Sequence, residues 1–265
     1  MTINDDKSDK NRSDVEGSTV VDKMDKPFSP LFIAIIPIYG SVFFAICVFP
    51  LATWSWNPFD WTWIEGWIFL IVFAVWMYLY VLFLNKRNPR VLRNRIKHKK
   101  EKKMEDEMSK QASASDKWIL PLFGLAFILT FIITDLDHLF NWSIAFPIVL
   151  EIVGFVILGI GLYLISLAQL QNAYASKVLD IREGQKLIDT GLYAHVRHPL
   201  YSGFVGMVIA IPLGLGSWWS IIPAIFSVLG LVVRIKYEEE MLIGGLEGYK
   251  EYRERIKYKL IPKIY

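Results

Sequence analysis

Cysteine is nearly missing from this chain of 265 residues: Cys47 is the single one, and it lies inside an apolar run. One cysteine excludes an intrachain disulfide, a CxxC redox pair and a cysteine-rich metal site. The sequence also has no predicted strand followed by GxGxxG, the pattern of a Rossmann nucleotide site. Net charge is small, at +3 from 29 basic and 26 acidic residues, and the basic residues are clustered. This balance does not indicate nucleic acid as a partner.

Apolar residues are abundant instead. Hydrophobic residues make up 54% of the chain and aromatic residues 15%, and the mean hydropathy is +0.35. This composition is too apolar for a soluble domain of this length and indicates a bilayer as the solvent. The first thirty residues are polar, and they do not show the basic start, apolar core and cleavage site of a signal peptide. We expect residues 1–30 to form a disordered tail.

Six apolar runs are candidates for membrane-spanning helices, because a helix rising about 1.5 Å per residue needs about 20 residues to cross the hydrocarbon core. They cover residues 31–52, 61–84, 118–134, 143–170, 199–216 and 217–236. In the fifth run, Gly206, Ala210 and Gly214 recur at every fourth residue, which predicts close approach of a partner helix. The sequence therefore predicts an all-α, polytopic membrane helix bundle of about six transmembrane segments, with the fifth and sixth as a helical hairpin. The polar residues 237–265 predict a cytoplasmic C-terminal helix and tail.

The clustering of basic residues predicts the orientation. Residues 85–103 contain ten Lys or Arg residues and one Glu, so the positive-inside rule makes this loop cytoplasmic. By alternation, the acidic turn at 135–142 lies outside, and both chain termini lie in the cytoplasm. Residues 101–116 predict a surface linker without a catalytic role. The expected organisation of this integral membrane protein is a tail (1–30), four transmembrane helices (31–170) with a basic loop (85–117), and a cofactor-binding region (171–265).

Two polar segments, 184–201 and 234–242, adjoin membrane spans on the same predicted side. In the first, Pro199 suits the first turn of a helix, whose free N–H groups would suit an anionic group such as a carboxylate. Tyr193 and Tyr201 offer aromatic surface for an adenine ring or a sulfonium cation. The same residues could instead be interfacial anchors.

The second segment combines opposite charges. Arg234 and Glu238 are four residues apart, so they lie on one helix face and can form an ion pair. Three successive carboxylates, at 238–240, end the predicted helix, where the helix dipole prefers cations. A ligand ammonium, or Arg197 and Lys236, would stabilise them.

Several motifs follow one another in the last part of the chain: Gly-Leu-Tyr at 191–193, Arg-His-Pro-Leu-Tyr at 197–201, the segment 234–239 followed by Leu242, Gly-Tyr-Lys-Glu-Tyr at 248–252, and Leu-Ile-Pro at 260–262. In this order and spacing they resemble the isoprenylcysteine carboxyl methyltransferase family, within a wider group of membrane methyltransferases that includes phospholipid methyltransferases. The resemblance covers residues 172–265. Its variant at 246–249, Leu-Glu-Gly-Tyr, is similar to that of prokaryotic relatives and suggests a prokaryotic cell membrane.

The resemblance implies S-adenosylmethionine as the cofactor. His195 and His198 are close enough on a helix to share a metal, but no further His or Cys lies nearby in the sequence, so we expect no metal site. The implied cofactor contacts are Gln185, Lys186, Leu187, Ile188, Tyr193, His198, Pro199, Leu200, Tyr201 and Glu238. Arg234 would face the carboxylate of a lipophilic, isoprenylcysteine-like acceptor, either a small molecule or a lipidated substrate, among membrane lipids. A carboxylate is already ionised near neutral pH, so its methylation needs positioning rather than a base.

Three alternatives remain at this point. N-methylation of a phospholipid or other lipid amine would need a base, such as Glu239 or His198, and would tolerate the loss of Arg234; Arg234 and Glu239 are therefore the candidate catalytic residues. A related sterol reductase architecture would use a nicotinamide cofactor. A transporter or scaffold is less well supported, because polar residues gather at one end of the spans rather than at mid-bilayer.

Overall fold

The computed structural model describes residues 27–48, 62–87, 107–172, 181 and 185–265. Throughout these ranges the regular structure is helical, without a strand, which agrees with the predicted all-α class. The seven α-helices are α1 (Pro30–Val48), α2 (Ile64–Arg87), α3 (Glu107–Phe140), α4 (Ile148–Gln171), α5 (Pro199–Gly214), α6 (Ile221–Gly245) and α7 (Tyr249–Arg255). A single 3-10 turn, Gly191–Ala194, precedes α5. The predicted tail up to residue 26 and the basic loop from 88 to 106 lie outside the described residues.

Helix α3 differs most from the sequence prediction. The stretch expected as a surface linker is helical from Glu107 onward, and the acidic turn expected at 135–142 is helical through Phe140. Asp137 explains the second difference, because its carboxylate accepts a hydrogen bond from the Ser143 backbone N–H at 2.7 Å and another from the Ser143 hydroxyl at 2.5 Å. The hydroxyl of Ser217 also donates to it. Asp137 therefore joins the loop after α3 to the loop before α6.

The bounds of other helices also shift. Helix α4 begins at Ile148, after Pro147, rather than at residue 143. Helix α6 continues past residue 236 to Gly245. Residues 237–245 therefore extend an apolar helix, and the separate helix expected within 237–265 is the short α7.

Within the part of the chain that the structure describes, three helical stretches are long and apolar enough to cross a membrane: α2, the part Ser115–Phe140 of α3, and α4. Helix α4 presents large apolar side chains outward at three- and four-residue intervals: Ile148, Ile152, Val156, Ile160 and Tyr163. Helix α6 does the same with Ile222, Ile225, Phe226, Leu229 and Val233. Outward-facing apolar stripes of this kind suit lipid contact. Helix α5 has 16 residues, or about 24 Å, which is short for a complete span.

Helices α4 and α5 pack antiparallel with their backbones in contact. A Cβ atom added at Gly161 would lie 2.8 Å from the carbonyl oxygen of Gly203, and one added at Gly203 would lie 2.7 Å from that of Gly161. At Gly154 the added atom would lie 2.3 Å from the nitrogen of Gly214. The predicted stripe therefore does meet a partner helix, but Gly206 is not its tightest point, since an added Cβ there would keep an ordinary distance of 3.5 Å.

This packing generates a stability prediction with a matched control. Gly161→Ala should destabilise the bundle by about 1–3 kcal/mol, because backbone atoms of α5 cannot move aside as a side chain can. Gly159→Ala, on the same helix, should be neutral or slightly stabilising, because no neighbouring atom lies within 4 Å of its added methyl group. Reversible unfolding in mixed detergent micelles measures both; equal stability of the two variants would contradict the close approach.

Candidate active site

Tyr201 on α5 lies between two charged side chains of α6. Its hydroxyl donates to Oε2 of Glu238 at 2.5 Å and accepts a hydrogen bond from Nη1 of Arg234. The Arg234 guanidinium also lies over the Tyr201 ring, with 5.7 Å from Cζ to the ring centroid. Because Arg234 and Glu238 are one helical turn apart, a single tyrosine on the facing helix can bridge them. Three residues predicted from the sequence are therefore in direct contact.

Arg234 has a further partner on α3. Its Nε lies 2.8 Å from Oδ1 of Asp116 and its Nη2 lies 3.1 Å from Oδ2, which is a bidentate ion pair. Both residues are buried, with 3% of Asp116 and 5% of Arg234 exposed. Asp116 belongs to the stretch that the sequence predicted to be a linker without a catalytic role, and that prediction is wrong about its location: it lies on a helix and contacts the central arginine of the site.

Glu239 belongs to a separate buried network. Its Oε1 accepts a hydrogen bond from Nε of Arg197 at 2.6 Å and lies 3.3 Å from Nε2 of His198. Lys259 Nζ lies 3.3 Å from Oε2. Burial raises the pKa of the Glu239 carboxyl, but the hydrogen bonds and charges of His198 and Arg197 outweigh burial and lower the pKa to about 2. Arg197 thus stabilises one of the three successive carboxylates, as the sequence suggested, whereas Lys236 is exposed.

The segment after α7 lies along the start of α5. The backbone N–H groups of Arg197 and His198 donate to the carbonyl oxygens of Tyr258 and Lys259, at 3.0 and 2.9 Å. Arg197 Nη1 donates to the carbonyls of Ile256 and Lys257. The chain itself therefore occupies two backbone donors just before α5; the N–H groups of the first turn of α5, which the sequence predicted to suit an anionic group, are different groups.

The segment 185–194 is attached to the rest of the site at three points. The side chain of Leu187 lies near Gly248, where an added Cβ would be 3.6 Å from its Cδ2. Gly191 adopts a φ of +62°, and the following backbone N–H donates to the amide oxygen of Gln171 at 2.9 Å. The hydroxyl of Tyr252 donates to the carbonyl of Tyr193 at 2.7 Å. These contacts hold the predicted cofactor segment against the ends of α4, α6 and α7.

Tyr249, the first residue of α7, has a buried hydroxyl without a hydrogen-bond partner among the described residues. Only 3% of the residue is exposed. Burial, followed by the nearby carboxylates of Glu239 and Glu238, raises the pKa of Tyr249 far above its ordinary range. A neutral hydroxyl left unpaired in such a position costs stability unless a ligand or water completes it.

The predicted cofactor contacts differ in their burial. Pro199 is buried as the first residue of α5, Leu200 packs against the apolar core of the bundle, and Lys186 is exposed. Gln185, Leu187 and Ile188 are partly buried. Among the predicted site residues, those with polar groups that are buried are Tyr193, His198, Tyr201, Arg234 and Glu239, whereas Glu238 is partly buried.

Sequence reasoning missed three residues of the site: Asp116, Tyr249 and Lys259. An arginine within an apolar helix requires a buried anion, so Arg234 did indicate that a carboxylate would be near it. Nothing in the spacing identifies Asp116 as that carboxylate, since 118 positions separate the two. Tyr249 lies in a motif that the sequence analysis noted without assigning it a role.

The Glu239 network generates a pH prediction. A carboxyl whose folded pKa is lowered contributes stability above its unfolded pKa and loses it as the pH falls toward the folded value. Glu239→Gln should therefore destabilise the protein by about 3 kcal/mol at neutral pH. The difference from wild type should shrink between about pH 4.5 and pH 2. Unfolding in detergent across this range measures it, and a difference that is independent of pH would contradict the network.

Comparison with known families connects this geometry to a chemistry. Residues 152–244 match the isoprenylcysteine carboxyl methyltransferase (ICMT) family. The matched segment includes Tyr201, Arg234 and Glu238, and it excludes Asp116 and Tyr249. No curated protein matches the chain. This match covers about a third of the chain, and it suggests methyltransferase activity in a membrane.

Proposed function

We propose that this protein transfers a methyl group from S-adenosylmethionine to the carboxylate of a lipophilic, isoprenylcysteine-like substrate. The observation that carries the proposal is the hydrogen-bonded series Glu238–Tyr201–Arg234, which joins a carboxylate suited to a cationic ligand to a guanidinium suited to an anionic one. A methyl donor with an ammonium group and an acceptor with a carboxylate match these two ends.

The side chains around Tyr201 fit the methyl donor. Glu238 would hold the ammonium of its amino acid part, and the buried hydroxyl of Tyr249, which has no hydrogen-bond partner among the described residues, supplies a polar group nearby. The segment 185–188, Tyr193, and the residues from His198 to Tyr201 would surround the remainder. When bound, S-adenosylmethionine supplies an electrophilic methyl group attached to a sulfonium.

The acceptor carboxylate requires orientation rather than deprotonation. It is ionised near neutral pH, so an oxygen lone pair can form the new O–CH₃ bond while the electron pair of the broken C–S bond stays on sulfur. Arg234 would direct that oxygen through its fork of donors. Burial of Arg234 and Tyr201 keeps bulk water away from the reacting groups.

The location of the charged groups fits a lipophilic substrate. Val233 is the last member of the outward apolar stripe of α6, and Arg234 follows it directly. On α3, the exposed Trp118 lies two residues after Asp116, and tryptophan favours the headgroup layer. The site therefore adjoins the end of the apolar surface, where a prenyl chain could lie in lipid while its carboxylate reaches Arg234.

The proposal includes the membrane organisation expected from the sequence. Six spans, both termini in the cytoplasm of a prokaryotic cell, and a cofactor-binding region over 171–265 would bring the site to the cytoplasmic face. The exposed basic residues Lys86 and Arg87 at the end of α2 support this orientation, because they begin the basic loop.

N-methylation of a lipid amine is the second candidate. The Asp116–Arg234 pair favours it, since an arginine that already holds a carboxylate is less available to another. The state of Glu239 weighs against it, because a carboxylate with a pKa of about 2 is a poor base for an ammonium proton. The carboxylate acceptor therefore remains the leading proposal.

Tyr249 provides a test of cofactor binding. Tyr249→Phe should leave the ligand-free protein as stable as wild type or more so, because it removes a hydroxyl without a partner. Binding of S-adenosylhomocysteine, measured by calorimetry, should weaken about three- to tenfold, as for the loss of one hydrogen bond. Tyr252→Phe is the control for stability, since it removes the bond to Tyr193 and should lower the melting temperature. If binding is unchanged in Tyr249→Phe, the Tyr249 hydroxyl does not contact the cofactor.

The acceptor is tested by methyl transfer from radiolabelled S-adenosylmethionine to N-acetyl-S-farnesylcysteine. Arg234→Gln should lower formation of the base-labile methyl ester at least a hundredfold, while binding of S-adenosylhomocysteine persists. Lys236→Gln, an exposed change on the same helix, should behave as wild type. Label in base-stable extracted lipid, with little effect of Arg234→Gln, would favour the amine acceptor instead.

A further inference from the structure

The ion pair between Asp116 and Arg234 joins α3 to the site. Both carboxylate oxygens of Asp116 contact the guanidinium, one at Nε and one at Nη2, and a third nitrogen, Nη1, donates to Tyr201. One face of the arginine fork therefore already holds a carboxylate, in the bidentate geometry with which arginine recognises carboxylates in general. An acceptor carboxylate would therefore contact an arginine that is already paired with Asp116.

Helix packing alone does not account for this pair. The same two helices contact each other through apolar groups further along, where Phe123 packs near Gly230. Replacing a buried ion pair by apolar residues often leaves stability unchanged or higher, because desolvation of the charges offsets their attraction. The pair is also part of the hydrogen-bonded series that reaches Glu238 through Tyr201. Asp116 therefore belongs to the hydrogen-bonded series of the candidate site as well as to the packing of α3 on α6.

The electrostatic consequence concerns the acceptor. A buried guanidinium without a counter-charge would form a strong ion pair with an acceptor carboxylate, because charges interact strongly away from water. Strong pairing lowers the nucleophilicity of the carboxylate oxygen that must attack the methyl group. An arginine whose charge Asp116 balances can still donate hydrogen bonds to the acceptor, but it binds the acceptor more weakly and leaves the lone pair more reactive.

Resting on the proposed function, we propose that Asp116 is a positioning residue that shares the Arg234 fork with the acceptor carboxylate and thereby sets how tightly the arginine holds it. Asp116 does not touch the methyl group or accept a proton. It acts through Arg234. Its charge lowers the affinity for the acceptor and raises the rate of methyl transfer.

The first experiment compares wild type with Asp116→Asn in detergent. Asparagine keeps the shape and a hydrogen-bond acceptor but removes the charge. With N-acetyl-S-farnesylcysteine as the acceptor, KM should fall about fivefold or more and kcat should fall by a similar factor, while KM for S-adenosylmethionine stays unchanged. A purely structural role would raise the acceptor KM or leave it unchanged while activity falls, and either result would overturn the proposal.

The matched control is Asp137→Asn on the same helix. Asp137 is also buried and hydrogen-bonded, but it lies at the opposite end of α3, so its loss should lower the melting temperature without changing either kinetic constant. If Asp137→Asn reproduces the opposed shifts of KM and kcat, the effect is a general response of α3 and the proposal fails.

A second measurement uses wild type alone, which keeps the proposal testable if Asp116→Asn does not fold. The probes are N-acetyl-S-farnesylcysteine and its primary carboxamide, and the readout is the dissociation constant of each for protein saturated with S-adenosylhomocysteine. A charge-balanced arginine should prefer the acid by less than about tenfold. A preference above a hundredfold would mean that Asp116 does not share the arginine.

The failures of the two proposals are distinguishable. If wild type forms no base-labile methyl ester from the acid, the proposed function fails regardless of Asp116. If wild type forms the ester but the acceptor affinity and turnover do not move in opposite directions in Asp116→Asn, only the role of Asp116 fails.

Discussion

Burial of the Arg234 guanidinium constrains the arrangement of three helices. An arginine in an apolar interior must be surrounded by anionic and polar groups, because an unpaired buried charge is strongly destabilising. Asp116 comes from α3, Tyr201 comes from α5, and Glu238 is one turn away on α6 itself. The register of α3 and α5 along α6 is therefore tied to a single side chain, and the same contacts that satisfy the charge place a guanidinium and a carboxylate on either side of Tyr201.

A second group of charges surrounds Glu239. Glu239, next in sequence to Glu238, is enclosed by Arg197, His198 and Lys259, and its pKa of about 2 keeps it ionised at every physiological pH. Adjacent glutamates on α6 thus have different environments: one faces Tyr201, and the other anchors the start of α5 and the segment after α7. Two like residues acquire separate roles because their partners come from different elements.

The sequence predicted the helical class and the grouping of Tyr201, Arg234 and Glu238, since helical spacing and aromatic and charged residues beside apolar runs are local properties. It did not predict that α3 begins at Glu107 or that Asp116 reaches Arg234, because polar helix-forming residues beside a span suit a linker and a helix equally. The sequence also did not predict that the backbone carbonyls of residues 256–259 accept hydrogen bonds from Arg197 and His198 at the start of α5. Backbone pairing between residues 197–198 and 258–259 depends on the tertiary course of the chain and leaves no mark in side-chain chemistry.

That backbone pairing has a consequence for the order of events during synthesis. The helices that carry Tyr201 and Arg234 are synthesised before the segment that pairs with the start of α5. The carbonyls of Ile256 and Lys257 that fix Arg197 lie 59 and 60 residues further along. A nascent chain would therefore contain both of these helices before the contacts at the start of α5 are complete, and the buried network of Arg197 and Glu239 would be completed only once residues 256–260 have emerged and packed along α5.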